Sequence, residues 1–244
     1  MGKKIIAYPL KINGSNWENM ELRLSLRSLE AHWKGEYDEV VILGESMPEW
    51  INKEKVRFEL SPGYVEALNK CIDIAGPNGD ILWMNDDIMF LKDTTWEDLV
   101  RPVRREPREQ MTLPKANDWA KSKNGWMRRL GQIMIELHNQ GRTTWKFSTH
   151  TPYWYEADKL KACMDEFGPL GYKVAIENAY FNIYIDQFGV DHIDDTFRIR
   201  TRRSRFPMDE YADKRFINLT PRIGPWMRGF LLGIWPLPCQ FENS

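Results

Sequence analysis

The chain has 244 residues, 42% hydrophobic and 28% charged, with 16 glycines and 14 prolines, which excludes disordered, collagen-like and coiled-coil material. Its 34 basic and 35 acidic side chains leave a formal charge of -1, so bulk charge argues for neither a nucleic-acid nor a membrane partner, though local patches stay open. At this size folding buries roughly 70–75% of the unfolded surface, enough for a full core without staples. The expectation is one domain over 1–244, with residues 1–100 as its ligand-binding half and 101–244 as an elaboration on the acceptor side.

Ile5 to Leu10 is an apolar run suited to a buried first strand, closed by Asn13-Gly14. Ser15 and Glu18 have capping-box spacing, with Asn16 an alternative cap, and Leu22, Leu26, Leu29 and Trp33 then fall on one helical face. Asp38 to Gly44 reads as a second buried strand and Val56 to Leu60 as a short third. Pro62-Gly63 opens a helix that Gly76-Pro77 ends, and Asp80 to Met84 is another strand. Strands with continuous apolar runs, alternating with helices, predict an α/β fold with a mostly parallel sheet covered on both faces. Further on, helices are expected over Leu130 to His138, Asp158 to Phe167 and Ala175 to Phe188, and a strand within residues 197–206.

Cys71, Cys163 and Cys239 match neither a disulfide framework nor a zinc spacing, so a reducing cytoplasm is the expected location. The apolar stretch near the first residue is too short for a signal peptide or a membrane span, and no membrane association is expected.

The most informative stretch is ILWMNDDIMFLKD (81–93), where Asp86 and Asp87 sit between two apolar runs. Ionised carboxylates beside a core need a compensating partner, because desolvation costs several kcal/mol per ion. At the carboxyl end of a parallel strand that partner is naturally Mg²⁺ or Mn²⁺, completed by phosphate oxygens of a ligand. A turn cap, or pairing with arginine, is the plain alternative. An acidic motif in this position resembles that of glycosyltransferases with the GT-A fold. A second resemblance covers SNWENMELRLSLRSLEAHWKGEYDEVVILGESMPEWIN (15–52), WMNDDIMFL (83–91), HTPYWYEADKLKACMDEFG (150–168) and WPLPCQFE (235–242). These segments look like conserved regions of the Stealth family of sugar-1-phosphate transferases. The opening block of that family is reduced here to IIAYPLKINGSNW.

The two resemblances imply a GT-A-like single domain that binds a nucleotide-sugar donor, UDP-linked as the first expectation, with a divalent cation. Asp86 and Asp87 would hold the metal, Asp87 counting also as a catalytic carboxylate, and Asn85 would orient it or touch ribose. Glu21, Arg23 and Arg27 would open the first helix against nucleotide or phosphate, and Arg222 would clamp a phosphate. His150 is the candidate acid/base, since its pKa lies nearest the operating range, and Glu177 is a second candidate base. Two arginine clusters, with Arg104 and Arg105 in one and Arg200, Arg202 and Arg203 in the other, form a candidate track for an anionic acceptor, DNA or glycan, with Trp119, Trp126 and Trp145 as possible stacking residues. The leading expectation is glycosyl transfer to an acceptor hydroxyl, with a hydroxymethylated pyrimidine in DNA as one candidate acceptor. Sugar-phosphate transfer to a glycan, a non-enzymatic nucleic-acid-binding module and a metal-dependent hydrolase using the same carboxylates are the rivals.

Overall fold

Six residues, Lys4–Pro9, form the first strand, β1, and its alternation divides the core in two. Ile5 and Ala7 point to one face of the sheet, where they meet Val41, Leu43 and Ile81; Ile6 and Tyr8 point to the other, against Val40, Ile42 and Leu82. All are buried, as expected of a central strand covered on both sides. This computed structural model describes residues 2–10, 19–100, 110–167, 175–188, 196–199, 213–219 and 225–243.

β1 lies between β2 (Glu39–Gly44) and β4 (Asp80–Trp83), parallel to both, and β2 carries β3 (Arg57–Leu60) on its outer side, also parallel. β6 (Tyr153–Glu156) closes the other edge antiparallel to β4, giving the order β3-β2-β1-β4-β6. The mixed, mostly parallel α/β sheet flanked by helices is the one the sequence predicts. A second sheet is not foreseen there: β5 (Ile88–Phe90) pairs with β8 (Phe216–Leu219), which pairs with β7 (Thr196–Ile199). β7 overlaps the strand expected within 197–206, of which 200–206 lie outside the described residues, whereas β5 and β8 are too short to show a period.

Helix α1 (Met20–His32) is wedged between the sheets. Leu22, Leu26 and Leu29 pack on the face of Ile6 and Tyr8, while Leu24 packs with Met89, Ile217 and Leu219. Ser25 Oγ donates to the carbonyl of Ile88, and Ser28 Oγ accepts from the amide of Phe90 at 3.0 Å, so the helix also satisfies the edge of β5. α1 begins at Met20, after Asn19 in a left-handed conformation; the predicted cap residues Ser15, Asn16 and Glu18 lie outside the described residues. On the opposite face α2 (Tyr64–Ala75) buries Ala67, Leu68 and Cys71, and Gly76, at φ 69°, ends it.

The same face is completed by α3 (Leu113–Ala120), α4 (Gly125–Asn139), α5 (Ala157–Phe167), α6 (Ile176–Ile183) and the short α7 (Ile185–Phe188). α3 is absent from the sequence reading, and α4 starts five residues earlier than expected, capped by the Asn124 side chain, which accepts from the amides of Trp126 and Met127. Gly131 lets the two helices touch: a Cβ there would lie 2.4 Å from the amide nitrogen of Ala120. α8 (Pro225–Ile234) runs into the C-terminal tail. Among the described residues no helix is long and apolar enough to cross a membrane.

Candidate functional site

A cavity of about 530 Å³ opens at the carboxyl ends of the parallel strands. Its walls are Pro9 at the end of β1 and Leu10 just beyond it, Leu43 and Glu45 at the end of β2, the Ser61-Pro62-Gly63 loop after β3, and Tyr64 and Ala67 of α2. A further wall is Asn85, Asp86 and Asp87, just past β4, and His150 completes the lining from 63 residues beyond Asp87. Ligands of open α/β sheets bind in such a crevice, where the strands deliver their last residues and the connections turn away.

The acidic turn is anchored on both sides. The amide of Met84 donates to the carbonyl of Ala7 at 2.8 Å, holding the turn to the first sheet. The amide of Leu219 and the side-chain amide of Asn218 donate to the carbonyl of Asp87 at 2.8 and 3.3 Å, holding it to the second. Carboxylates at the seam of two sheets are therefore positioned by main-chain bonds of both.

His150 arrives on an extended strap, residues 143–149, secured by polar side chains of α6. Asn182 Oδ1 accepts from the Trp145 amide at 2.8 Å, and Asn178 Oδ1 from the Phe147 amide at 2.8 Å. Ser148 Oγ donates to Glu177 at 2.7 Å, and Asn178 Nδ2 donates to the same carboxylate oxygen at 2.9 Å. The Tyr153 hydroxyl accepts from the Thr149 amide at 3.1 Å and donates to the Phe147 carbonyl at 3.1 Å. So braced, His150 is held at φ 59°, a left-handed conformation that few non-glycine residues adopt and that clusters at functional sites.

Glu177 is buried behind the strap and does not line the cavity, which revises its expected place as a base. Burial holds its carboxyl above the ordinary range, partly offset by the Ser148 and Asn178 hydrogen bonds. It is a support for the segment that presents His150.

The first turn of α1 behaves differently from expectation. Glu21 is buried, and its negative charge reaches Asp86; its Oε2 has no hydrogen-bond partner among the described residues. Arg27 is not available to a phosphate, because it grips Glu242 in a fork of 2.6 and 2.9 Å and donates to the Trp235 carbonyl at 3.0 Å. Arg23 is drawn the same way, 3.4 Å from Glu242 and stacked over Trp50 at 4.4 Å. Both arginines fasten the C-terminal tail to α1, and neither lines the cavity.

The cavity's electrostatics are one-sided. Glu45, Asp86 and Asp87 line it, and no lysine or arginine does among the described residues. Burial, then the neighbouring Asp87 and Glu21, push the Asp86 carboxyl up to about 7, against hydrogen bonds from the Asp86 and Asp87 amides that pull it down. No group of three His, Cys, Asp or Glu side chains among the described residues forms a closed metal cage. Two adjacent carboxylates with further donors left to a ligand suit Mg²⁺ or Mn²⁺ better, since Mg²⁺ is commonly held by one or two carboxylates plus phosphate oxygens. The unpartnered Glu21 oxygen and the crowding of carboxylates around Asp86 fit the same kind of ion.

Arg104, Arg105, Arg200, Arg202, Arg203 and Arg222 lie outside the described residues. His138 is spent on the Met111 carbonyl at 2.8 Å, and His32 sits 3.2 Å from Asp93 on the surface. Tyr64, Ser61 and Glu45 are cavity residues missed in the sequence, although their positions just after β2 and β3 are a signal once those strands are read as parallel.

No protein-family model matches the chain, and no curated protein does. Among solved structures, a crystal structure of an active-site mutant of LgtC aligns over 97% of this chain and 98% of that chain, at 12% identity and a TM-score of 0.45. The galactosyltransferase LgtC in complex with donor and acceptor sugar analogs aligns over the same shares, at 12% identity and a TM-score of 0.46. Similarity of this order carries no function across, and the chemistry has to come from the crevice.

Proposed function

We propose that this chain is a GT-A-type glycosyltransferase that takes a sugar from a nucleotide diphosphate donor, UDP-linked in the first instance, and passes it to an acceptor hydroxyl. The observation that carries the reading is the convergence of Asn85, Asp86, Asp87 and His150 on one cavity whose lining has carboxylates and, among the described residues, no lysine or arginine. A diphosphate entering such a cavity is repelled unless a divalent cation stands between the two sets of negative oxygens. Asp86 and Asp87 would hold that ion; when bound it supplies charge neutralisation for the departing diphosphate.

The chain's own residues do the rest. Asn85 orients the donor beside the acidic turn, and the Tyr64 ring gives the wall an apolar surface against a base or a sugar face. His150, on its braced strap, accepts the proton of the acceptor hydroxyl as the new glycosidic bond forms. Three free, buried cysteines suit a reducing cytoplasm.

The test is a thermal-shift and calorimetric titration with nucleotide sugars, with and without Mn²⁺. Stabilisation by a UDP-sugar that requires Mn²⁺ and disappears in Asp86→Asn and Asp87→Asn is the expected result; donor binding unaffected by either substitution refutes it. The nucleotide released on turnover separates glycosyl transfer, which yields UDP, from the sugar-phosphate transfer of the Stealth resemblance, which yields UMP.

A further inference from the structure

Residues 110–146 carry seven lysines and arginines against two acids, in a chain whose total charge is -1. This excess is folded into one place, the α3–α4 hairpin and the start of the strap. Lys115, Lys121, Lys123 and Arg128 are exposed, and among the described residues no carboxylate pairs with them or with Arg129. Several cations elsewhere are paired, as Lys3 is with Glu39, Arg57 with Glu59 and Lys161 with Asp165. A solvated face of mutual ion pairs is therefore the wrong description of the hairpin.

Aromatic rings stand among these charges. Trp119 and Trp126 meet at 6.1 Å with their planes tilted by 55°, both half-buried. Lys146 lies 5.0 Å from one ring and 5.6 Å from the other, and Lys115 lies 6.0 Å from the Trp119 ring. The close approach of the two helices at Gly131, and the packing of both rings partly against the core, fix the Trp119–Trp126 pair in place. From Lys146 the strap runs four residues to His150, at most about 14 Å of chain.

We infer that the α3–α4 hairpin is a binding face for a single-stranded nucleic acid. Exposed cations with no carboxylate partner among the described residues attract a phosphate backbone, and the exposed parts of two half-buried tryptophan rings give unstacked bases a platform that a duplex does not offer. A sulfated or carboxylated glycan satisfies the charges but gains less from indole faces held at an angle to one another. The inference adds an acceptor class to the transferase reading above, since the face lies one short strap away from His150, yet the binding itself needs neither donor nor metal.

The experiment is fluorescence anisotropy of a labelled oligo-dT of about 20 nucleotides with the full chain, in the absence of donor and divalent cation. Four neutralised phosphates predict a loss of roughly 50-fold in affinity between ~50 and ~200 mM salt. Lys121→Glu/Lys123→Glu/Arg128→Glu, all exposed, is expected to lose at least about tenfold with an unchanged melting temperature. Trp126→Leu is expected to weaken binding about tenfold with the salt slope intact, and tryptophan emission of the parent protein to fall on titration. No binding at low salt, undiminished binding by the triple variant, or tighter binding of a heparin oligosaccharide indifferent to Trp126→Leu each overturns the inference. Asp86→Asn keeps oligonucleotide binding if the inference holds, whatever becomes of donor binding, so the two readings fail separately.

Discussion

Ser148 donates a 2.7 Å hydrogen bond to Glu177, tying the residue two places before the crevice histidine to the first turn of a helix that never reaches the cavity. The bond joins the buried α6 to the segment that carries His150 into the cavity, which fits Glu177 as a positioning residue in the proposed reaction.

Glu177→Ala leaves the buried donors of Ser148 and Asn178 without an acceptor and is expected to cost about 1–3 kcal/mol of stability, together with turnover. Glu177→Gln keeps an accepting oxygen and the packing. Because burial raises the carboxyl in the folded state, the native protein favours its protonated form, and this stabilising contribution is present at low pH and lost as pH rises through the folded value. Denaturant melts should therefore show Glu177→Gln gaining on the parent as pH increases; a gap independent of pH contradicts the assignment.

Asp86 follows the same sign with a stated position. Its carboxyl titrates near 7 folded and near 3.9 unfolded, so its contribution is full below pH ~4 and lost by pH ~8, at most about 4 kcal/mol. Asp86→Asn is expected to melt higher than the parent at pH 8 without added metal, and Mn²⁺ should stabilise the parent and not the variant. Since cation binding requires the ionised carboxylate, Mn²⁺ affinity of the parent should fall toward tenfold per unit as pH drops below 7. Calorimetry across pH 6 to 8 reads this directly.

The Arg27–Glu242 fork is a buried ion pair, and removing one member leaves the other uncompensated. Arg27→Ala is expected to cost about 3–5 kcal/mol in urea denaturation. Donor affinity, measured where the variant is folded, should stay within about twofold, because the guanidinium faces the tail and not the cavity. A loss of donor affinity larger than the loss of stability returns Arg27 to the binding site.

His150 joins its proposed proton-accepting role to a costly backbone. His150→Ala is expected to lower kcat about 10²- to 10⁴-fold with little change in donor affinity. His150→Gly relieves the left-handed conformation at φ 59° and should be at least as stable as the alanine variant while equally slow. Matching kcat values for parent and variants remove the imidazole from the reaction.

Local rules made much of this legible in the chain itself. Apolar runs at 5–10, 38–44 and 80–84 announce buried parallel strands, because such strands are covered on both faces and have no polar side to alternate with. The isolated pair Asp86-Asp87 between apolar runs announces a charge that the fold must compensate. Pairing across distance was not legible. Arg27 reads as a helix-face arginine until Glu242, 215 residues away, closes on it, and Glu177 reads as a candidate base until the strap covers it. Hydrophobic periodicity is a property of neighbours along the chain, so it specifies β1, β2, β4, α1 and α2; which carboxylate meets a cavity and which meets a buried serine depends on how those elements pack, and only the tertiary structure decides that.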